Sequence, residues 1–200
     1  MARSLAEGDA QRCLQACLSV LEWGGVRRWN DHYLQTMGSR LGPQLLAVKR
    51  KLRLESLDTS ALPPIRMSSG MVKIYSLLVD DLVMYDSRVA AALCLLTRLF
   101  CREAGIHSVP RALRFGLLPH RSQAQRDPSE GSYSFPTVVR SEAYLDSLAR
   151  ASWLLRAVVR GRRSLFTCLG TGEDLHALQS ALFMLGYDVG GQRLGLTRST

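Results

Sequence analysis

The most chemically pointed residues in this chain are a carboxylate at a helix start and the basic residues around it. Tyr85-Asp86-Ser87-Arg88 runs straight into the apolar stretch Val89 to Leu96. Asp is a preferred helix N-cap, worth on the order of 1 kcal/mol there, and the positive end of the helix favours its ionised form. By itself this makes Asp86 a capping residue and Arg88 a solvated first-turn side chain, or a partner for Asp80 or Asp81. Upstream, Met67-Ser68-Ser69-Gly70 reads as a polar turn before an apolar helix from Met71 to Leu78, with Lys73 near its start. The plain readings there are a turn and a surface lysine.

Other chemistries lack their residues. No phosphate-loop pattern and no dinucleotide-binding glycine fingerprint is present. The four histidines, His32, His107, His120 and His176, show no metal-ligand spacing, and HExxH is missing. A Gly-x-Ser-x-Gly nucleophile elbow is missing too. Neither a metal nor a cofactor is expected. The five cysteines contain no CxxC pair, and Cys13 and Cys17 sit one helical turn apart in an apolar stripe, which fits reduced thiols in a cytoplasm. Met1 leads into a mixed polar segment rather than a signal peptide. The apolar run Val89 to Leu96 is far too short to span a bilayer, so no membrane partner is expected.

The segment Leu62 to Leu93 carries a longer pattern: Leu-Pro-Pro-Ile-Arg-Met-Ser-Ser-Gly-Met-Val-Lys-Ile-Tyr, then Val-Met-Tyr-Asp-Ser-Arg-Val-Ala-Ala-Ala-Leu. A tight turn, an apolar helix, a short loop, an Asp, a basic residue two places on and a second apolar helix follow one another. This layout resembles the helix-hairpin-helix DNA glycosylase superfamily, over about 30 of the 200 residues. The resemblance implies that backbone amides at Ser69-Gly70 hold a DNA phosphate, since Gly lets the backbone approach closely. It implies Asp86 as catalytic carboxylate, activating the nucleophile or stabilising a cationic sugar, with a target base flipped beside it. Arg66 and Arg88 would add nucleic-acid contacts. The pattern departs from the family where Pro64 replaces a glycine. The family's nucleophilic lysine position falls on Val72, with Lys73 one residue later. One residue is about 100° of helix rotation, so a lysine-free, monofunctional glycosylase is expected over a lyase.

Charge agrees with an acidic partner without specifying it. The chain carries +9 overall, with 23 arginines and only Lys49, Lys51 and Lys73. Ten arginines against four acids lie between Arg111 and Arg163, a net of +6. Such a stretch suits phosphate contact, although the arginine bias of a GC-rich genome gives the same totals. Trp23 and Trp29 flank the Gly24-Gly25 pair and either stack on a base or, as Trp more often does, close a core. Tyr133 and Phe135 offer the same two options.

These residues must be positioned by helices. Ser4 to Glu22 is predicted as an amphipathic helix carrying Cys13, Leu14, Cys17, Leu18 and Leu21 at helical spacing. Trp23-Gly24-Gly25-Val26 breaks it. Asn30 or Asp31 caps the next helix, which Gly42-Pro43 stops. A basic helix around Leu45 to Leu52 follows, with Leu45, Leu46, Val48 and Leu52 inward. After a Pro-containing linker come the two central helices, the second with Val89, Ala92, Leu93, Leu96, Leu99 and Phe100 in register and Gly105 at its end. Residues 120–136 read as a flexible loop. Helices follow over about Ser141 to Arg160 and Gly172 to Leu185, then a loose tail over 190–200. Phe166 to Leu169 and Tyr187 to Val189 are the only strand-like stretches. The expectation is an all-α, single globular helical domain with a helix-hairpin-helix-like centre. Its expected function is a DNA-glycosylase-like one; the alternative is a non-catalytic helical protein that binds nucleic acid or a protein partner.

Overall fold

The computed structural model describes Leu5 and residues 8–52, 65–161 and 173–190. The predicted strand over Phe166 to Leu169, the tail beyond 190, Cys168 and the Leu62 to Pro64 half of the predicted hairpin lie outside the described residues.

The described chain is all-α. In order, the helices are α1 (Ala10–Trp23), α2 (Arg27–Met37), α3 (Leu41–Lys51), α4 (Ser69–Ser76), α5 (Ser87–Glu103), α6 (Ser141–Gly161) and α7 (Asp174–Leu185). Single 3₁₀ turns at Gly38–Arg40 and Arg111–Leu113 complete the regular structure. Tyr187 to Val189 forms no strand.

The first four helices pack as one group: α1 lies against α2, α3 and α4. Cys13, Cys17 and Leu21 form the buried stripe of α1, spaced as expected for one helix face. Asp9 caps α1, accepting from the Arg12 amide at 2.9 Å. The α1–α2 break falls at the glycine pair, where Gly25 takes φ +62°.

Two boundaries differ from expectation. Asn30 and Asp31 do not cap α2; they lie inside it, and Asn30 is buried with its Nδ2 donating to Val26 O at 2.7 Å. Gly42-Pro43 does not stop a helix either. The break comes earlier, at Gly38 with φ +51°, and Gly42 and Pro43 sit in the first turn of α3. Proline is tolerated there because first-turn amides have no partner inside the helix. In α3, Leu45, Val48 and Leu52 point inward as expected, and Leu46 is exposed.

The second group is α5, α6 and α7, with α7 against both others. In α5 the inward face is Val89 to Leu95, Thr97 and Cys101; Leu96 and Phe100 are exposed, off the expected face. Gly186, just past α7, lies where an added Cβ would strike the Arg88 carbonyl, so the start of α5 and the end of α7 touch backbone to backbone. In α6, Tyr144, Leu148, Ala151 and Leu155 are buried, and Val158 is exposed.

Both groups share one apolar core, from Leu21 and Leu45 through Ile74, Tyr85 and Phe115 to Leu148 and Leu182. Between α5 and α6 runs an irregular segment with isolated bridges at Leu117↔Thr137 and Glu130↔Tyr133. The part expected to be a flexible loop is tied down. Glu130 pairs with Arg98, Phe135 is buried, and the Val189 amide donates to Gln125 O at 2.8 Å.

Candidate functional site

A pocket of about 550 Å³ opens between the two helix groups, within the range of small-molecule and nucleotide sites. Lys73, Ser69, Asp86 and Arg88 all line it. Four of the six residues singled out in the sequence are thus brought together. Gly70 and Arg66 are not among the described lining residues.

Asp86 is held by a dense set of contacts. Its Oδ1 accepts from the Arg88 and Val89 amides at 2.9 and 3.1 Å, so it is the N-cap of α5. Among the described residues no hydrogen bond reaches its second oxygen, and the residue lines the pocket. The backbone leading to it is pinned residue by residue. The Val83 amide donates to Ser152 Oγ at 3.2 Å and the Met84 amide to Gln179 Oε1 at 2.6 Å. Tyr85 is fully buried and donates its hydroxyl to Gly116 O at 2.7 Å. Tyr144, which also lines the pocket, donates to the Tyr85 carbonyl at 2.8 Å. A carboxylate anchored through α6, α7 and the 115–118 segment has little freedom, as a preorganised site requires.

Lys73 is not a surface lysine: only 7% of it is exposed. Helix α4 is buried nearly all round, with Met71, Val72, Ile74 and Tyr75 in the core. The 100° between Val72 and Lys73 therefore does not send the lysine to solvent. It sends Val72 into the core and Lys73 into the pocket. Gly24 makes the room, since an added Cβ there would collide with the Lys73 stem, lying 2.7 Å from Cε. Burial lowers the Lys73 pKa from its ordinary 10.5, the Asp86 charge opposes that shift, and Arg88 adds to it.

The turn before α4 is built for packing. Ser68 caps the helix by accepting from the Met71 amide at 3.1 Å, and its hydroxyl donates to Asn30 Oδ1 at 2.7 Å. Gly70 is buried, and an added Cβ would collide with the side chains of Asn30 and Leu21. The close approach that this glycine permits is to α1 and α2. Ser69 is exposed on the pocket rim. Arg66 is exposed and lies 4.1 Å over the Tyr33 ring, away from the pocket lining.

Further lining residues were not legible in the local pattern. Arg126, from the irregular segment, is 9% exposed and donates from Nη1 to Ser87 Oγ. Arg140 and Ser141 come from the start of α6, and Phe183 from α7. The Arg88 guanidinium lies 4.3 Å over Phe183 and 4.8 Å over Tyr187, so it is stacked on aromatic faces rather than paired with Asp80 or Asp81. Asp81 instead meets Arg156. Trp23 lines the pocket and is 72% exposed, and Trp29 is 70% exposed; neither closes the core. Their nearness to Gly24-Gly25 was legible, but their solvent exposure was not.

The arginine-rich stretch divides by role. Arg150 is structural, donating to Asp146 and to the carbonyls of Arg111, Ala112 and Arg114. Arg126 and Arg140 belong to the pocket, while Arg111, Arg114, Arg121 and Arg160 are exposed. Among the described residues no helix is long and apolar enough to cross a membrane, and no cluster of His, Cys, Asp or Glu suits a metal ion. No family model matches this chain, and neither a curated protein nor a solved structure shows significant similarity to it.

Proposed function

We propose that the chain is a DNA-glycosylase-like, nucleic-acid-binding protein that releases a modified or damaged base, with Asp86 as its catalytic carboxylate. One observation carries this reading. Asp86 and Lys73, from separate helices, line one pocket large enough for a nucleoside, with cations and exposed aromatic surface at its mouth. The resemblance over Leu62 to Leu93 supplies the reaction class.

In this reading a nucleotide is flipped into the pocket. The C1′–N bond to the base breaks, its electron pair leaves with the base, and the base takes a proton from water. The free oxygen of Asp86 stabilises the positive charge that develops on the sugar. Lys73 is the attacking group: its lowered pKa raises the neutral fraction of the amine, whose lone pair forms a new bond to C1′. Loss of the ammonium proton to water and opening of the sugar ring then give an imine. This departs from the monofunctional mode expected from the sequence register, and it rests on the burial of Lys73 in the pocket.

The test is base release from a panel of damaged duplexes, with borohydride added to trap an imine. Release by the wild type, lost in Asp86→Asn, with a trapped complex lost in Lys73→Gln, supports the full reading. Release that survives Lys73→Gln without trapping assigns the attack to water. DNA binding without release from any duplex leaves the non-catalytic alternative.

A further inference from the structure

We propose that Arg126 forms the centre of a phosphate subsite in this pocket, which takes the phosphate of a nucleotide; the nucleotide rests on the function proposed above, the phosphate on the pocket alone. Arg126 is more than nine-tenths buried, and its Nε has no hydrogen-bond partner. Its one described side-chain contact is the Nη1 donation to Ser87 Oγ. No described carboxylate lies within ion-pair distance of it. Asp86 and Asp188 act on it only from beyond that distance, and a buried guanidinium with no anion in contact costs far more than a surface one, unless something anionic completes it.

The surroundings favour an anion. Among the described lining residues the cations are Lys73, Arg88, Arg126 and Arg140, and the one carboxylate is Asp86. Arg88 is a like charge acting on Arg126, and its guanidinium is stacked on the aromatic rings of Phe183 and Tyr187. Burial first, and Arg88 second, disfavour the charged form of Arg126, and they outweigh the opposing pull of Asp86, Tyr187 and Asp188. Two guanidinium groups lining one pocket offer planar donor forks that match phosphate oxygens. Even with Lys73 neutral, a surplus of two positive charges remains, which suits phosphate better than a single carboxylate. Ser87 Oγ anchors the Arg126 fork immediately beside Asp86. A phosphate bound there would place its own sugar next to the reacting pair.

The test uses the full chain and two probes, inorganic phosphate and a duplex containing a tetrahydrofuran abasic site. At matched ionic strength, phosphate should raise the melting temperature above that in chloride, by mass action on the folded state. Arg126→Gln should lose that increment and weaken duplex binding about tenfold, as for loss of one charge-assisted pair. Arg126→Lys keeps the charge without the fork and should fall between. Arg121→Gln, at an exposed arginine outside the pocket, should leave the increment intact. If Arg126→Gln does not fold, the wild-type phosphate increment and Arg126→Lys carry the test. The subsite is overturned if phosphate stabilises the wild type no more than chloride, or if the Arg126 variants keep the full increment. Base release that persists with no phosphate increment removes the subsite and leaves the glycosylase reading. An Arg126-dependent increment without base release from any duplex keeps the subsite and removes that reading.

Discussion

In the proposed function one side chain, Asp86, serves both the fold and the reaction. Its Oδ1 caps α5 through two amides, and among the described residues no hydrogen bond reaches its other oxygen. Asn caps a helix about as well as Asp, so Asp86→Asn should shift stability by less than about 0.5 kcal/mol while base release falls on the order of a hundredfold or more. Urea melts beside the release assay check this, and a large loss of stability would mean that the cap alone explains the residue. Lys73 makes a second claim at this scale. Burial lowers its pKa, so between that lowered value and 10.5 the unfolded chain binds more protons than the folded one. Stability should therefore rise as pH climbs through that window, and the burial penalty is fully present below it. Lys73→Met removes the penalty. Its advantage over the wild type should be greatest near neutral pH and shrink toward about pH 10 in urea melts; a gap that does not vary with pH would sink this account. Asp86 is legible because a carboxylate before an apolar helix stands out locally, whereas Lys73 reads as a surface lysine and only the packing of α4 shows its burial. Arg126, Arg140 and Tyr144 were not legible, since their roles come from chain crossings between distant segments. The role of Gly24 was hidden for another reason: it reads as a turn, and only the packed structure shows the lysine stem beside it.

The elements that place the site were read with mixed success, for physical reasons. The start of α5 was legible from its cap and the start of α6 from its periodicity. The α2–α3 boundary was misplaced because Gly-Pro usually ends a helix, whereas here it lies in a first turn where proline is harmless. Asn30 was read as a cap because it is a strong one in general. Its amide nitrogen instead bonds back to Val26 within the helix, and its partner Ser68, 38 residues away, is long-range information. The trajectory of α5 depends on α7 through Gly186, whose Cα sits against the Arg88 carbonyl. That obstacle is backbone and cannot swing aside. Gly186→Ala should cost about 1–3 kcal/mol, as overpacking does, and should also slow base release by moving the helix start that carries Asp86. Thermal melting and release rates measured together check both halves; an unchanged melting temperature would show that the contact yields without cost.

At the scale of the molecule, a basic chain folds into two helix groups around one core, with the pocket between them. Among its described residues, the positive stretch that begins at Arg111 is not a single surface. Arg150 and Arg156 brace the fold, Arg126 and Arg140 face the pocket, and several others are exposed. About four arginines are then free to meet phosphates, so duplex binding should weaken with salt with a log–log slope of roughly −3 to −4. Fluorescence anisotropy across a salt series measures it, and a flat dependence would argue against a nucleic-acid partner. The all-α class was legible from helical periodicity throughout, whereas the pocket depends on how the two helix groups meet, which no local pattern encodes. The most direct measurement of the central claim is base release from a panel of damaged duplexes by the wild type and by Asp86→Asn. Release by the wild type from at least one duplex is expected, and its loss in a variant that still melts normally. Release undiminished in Asp86→Asn, or none by the wild type from any duplex, would contradict it.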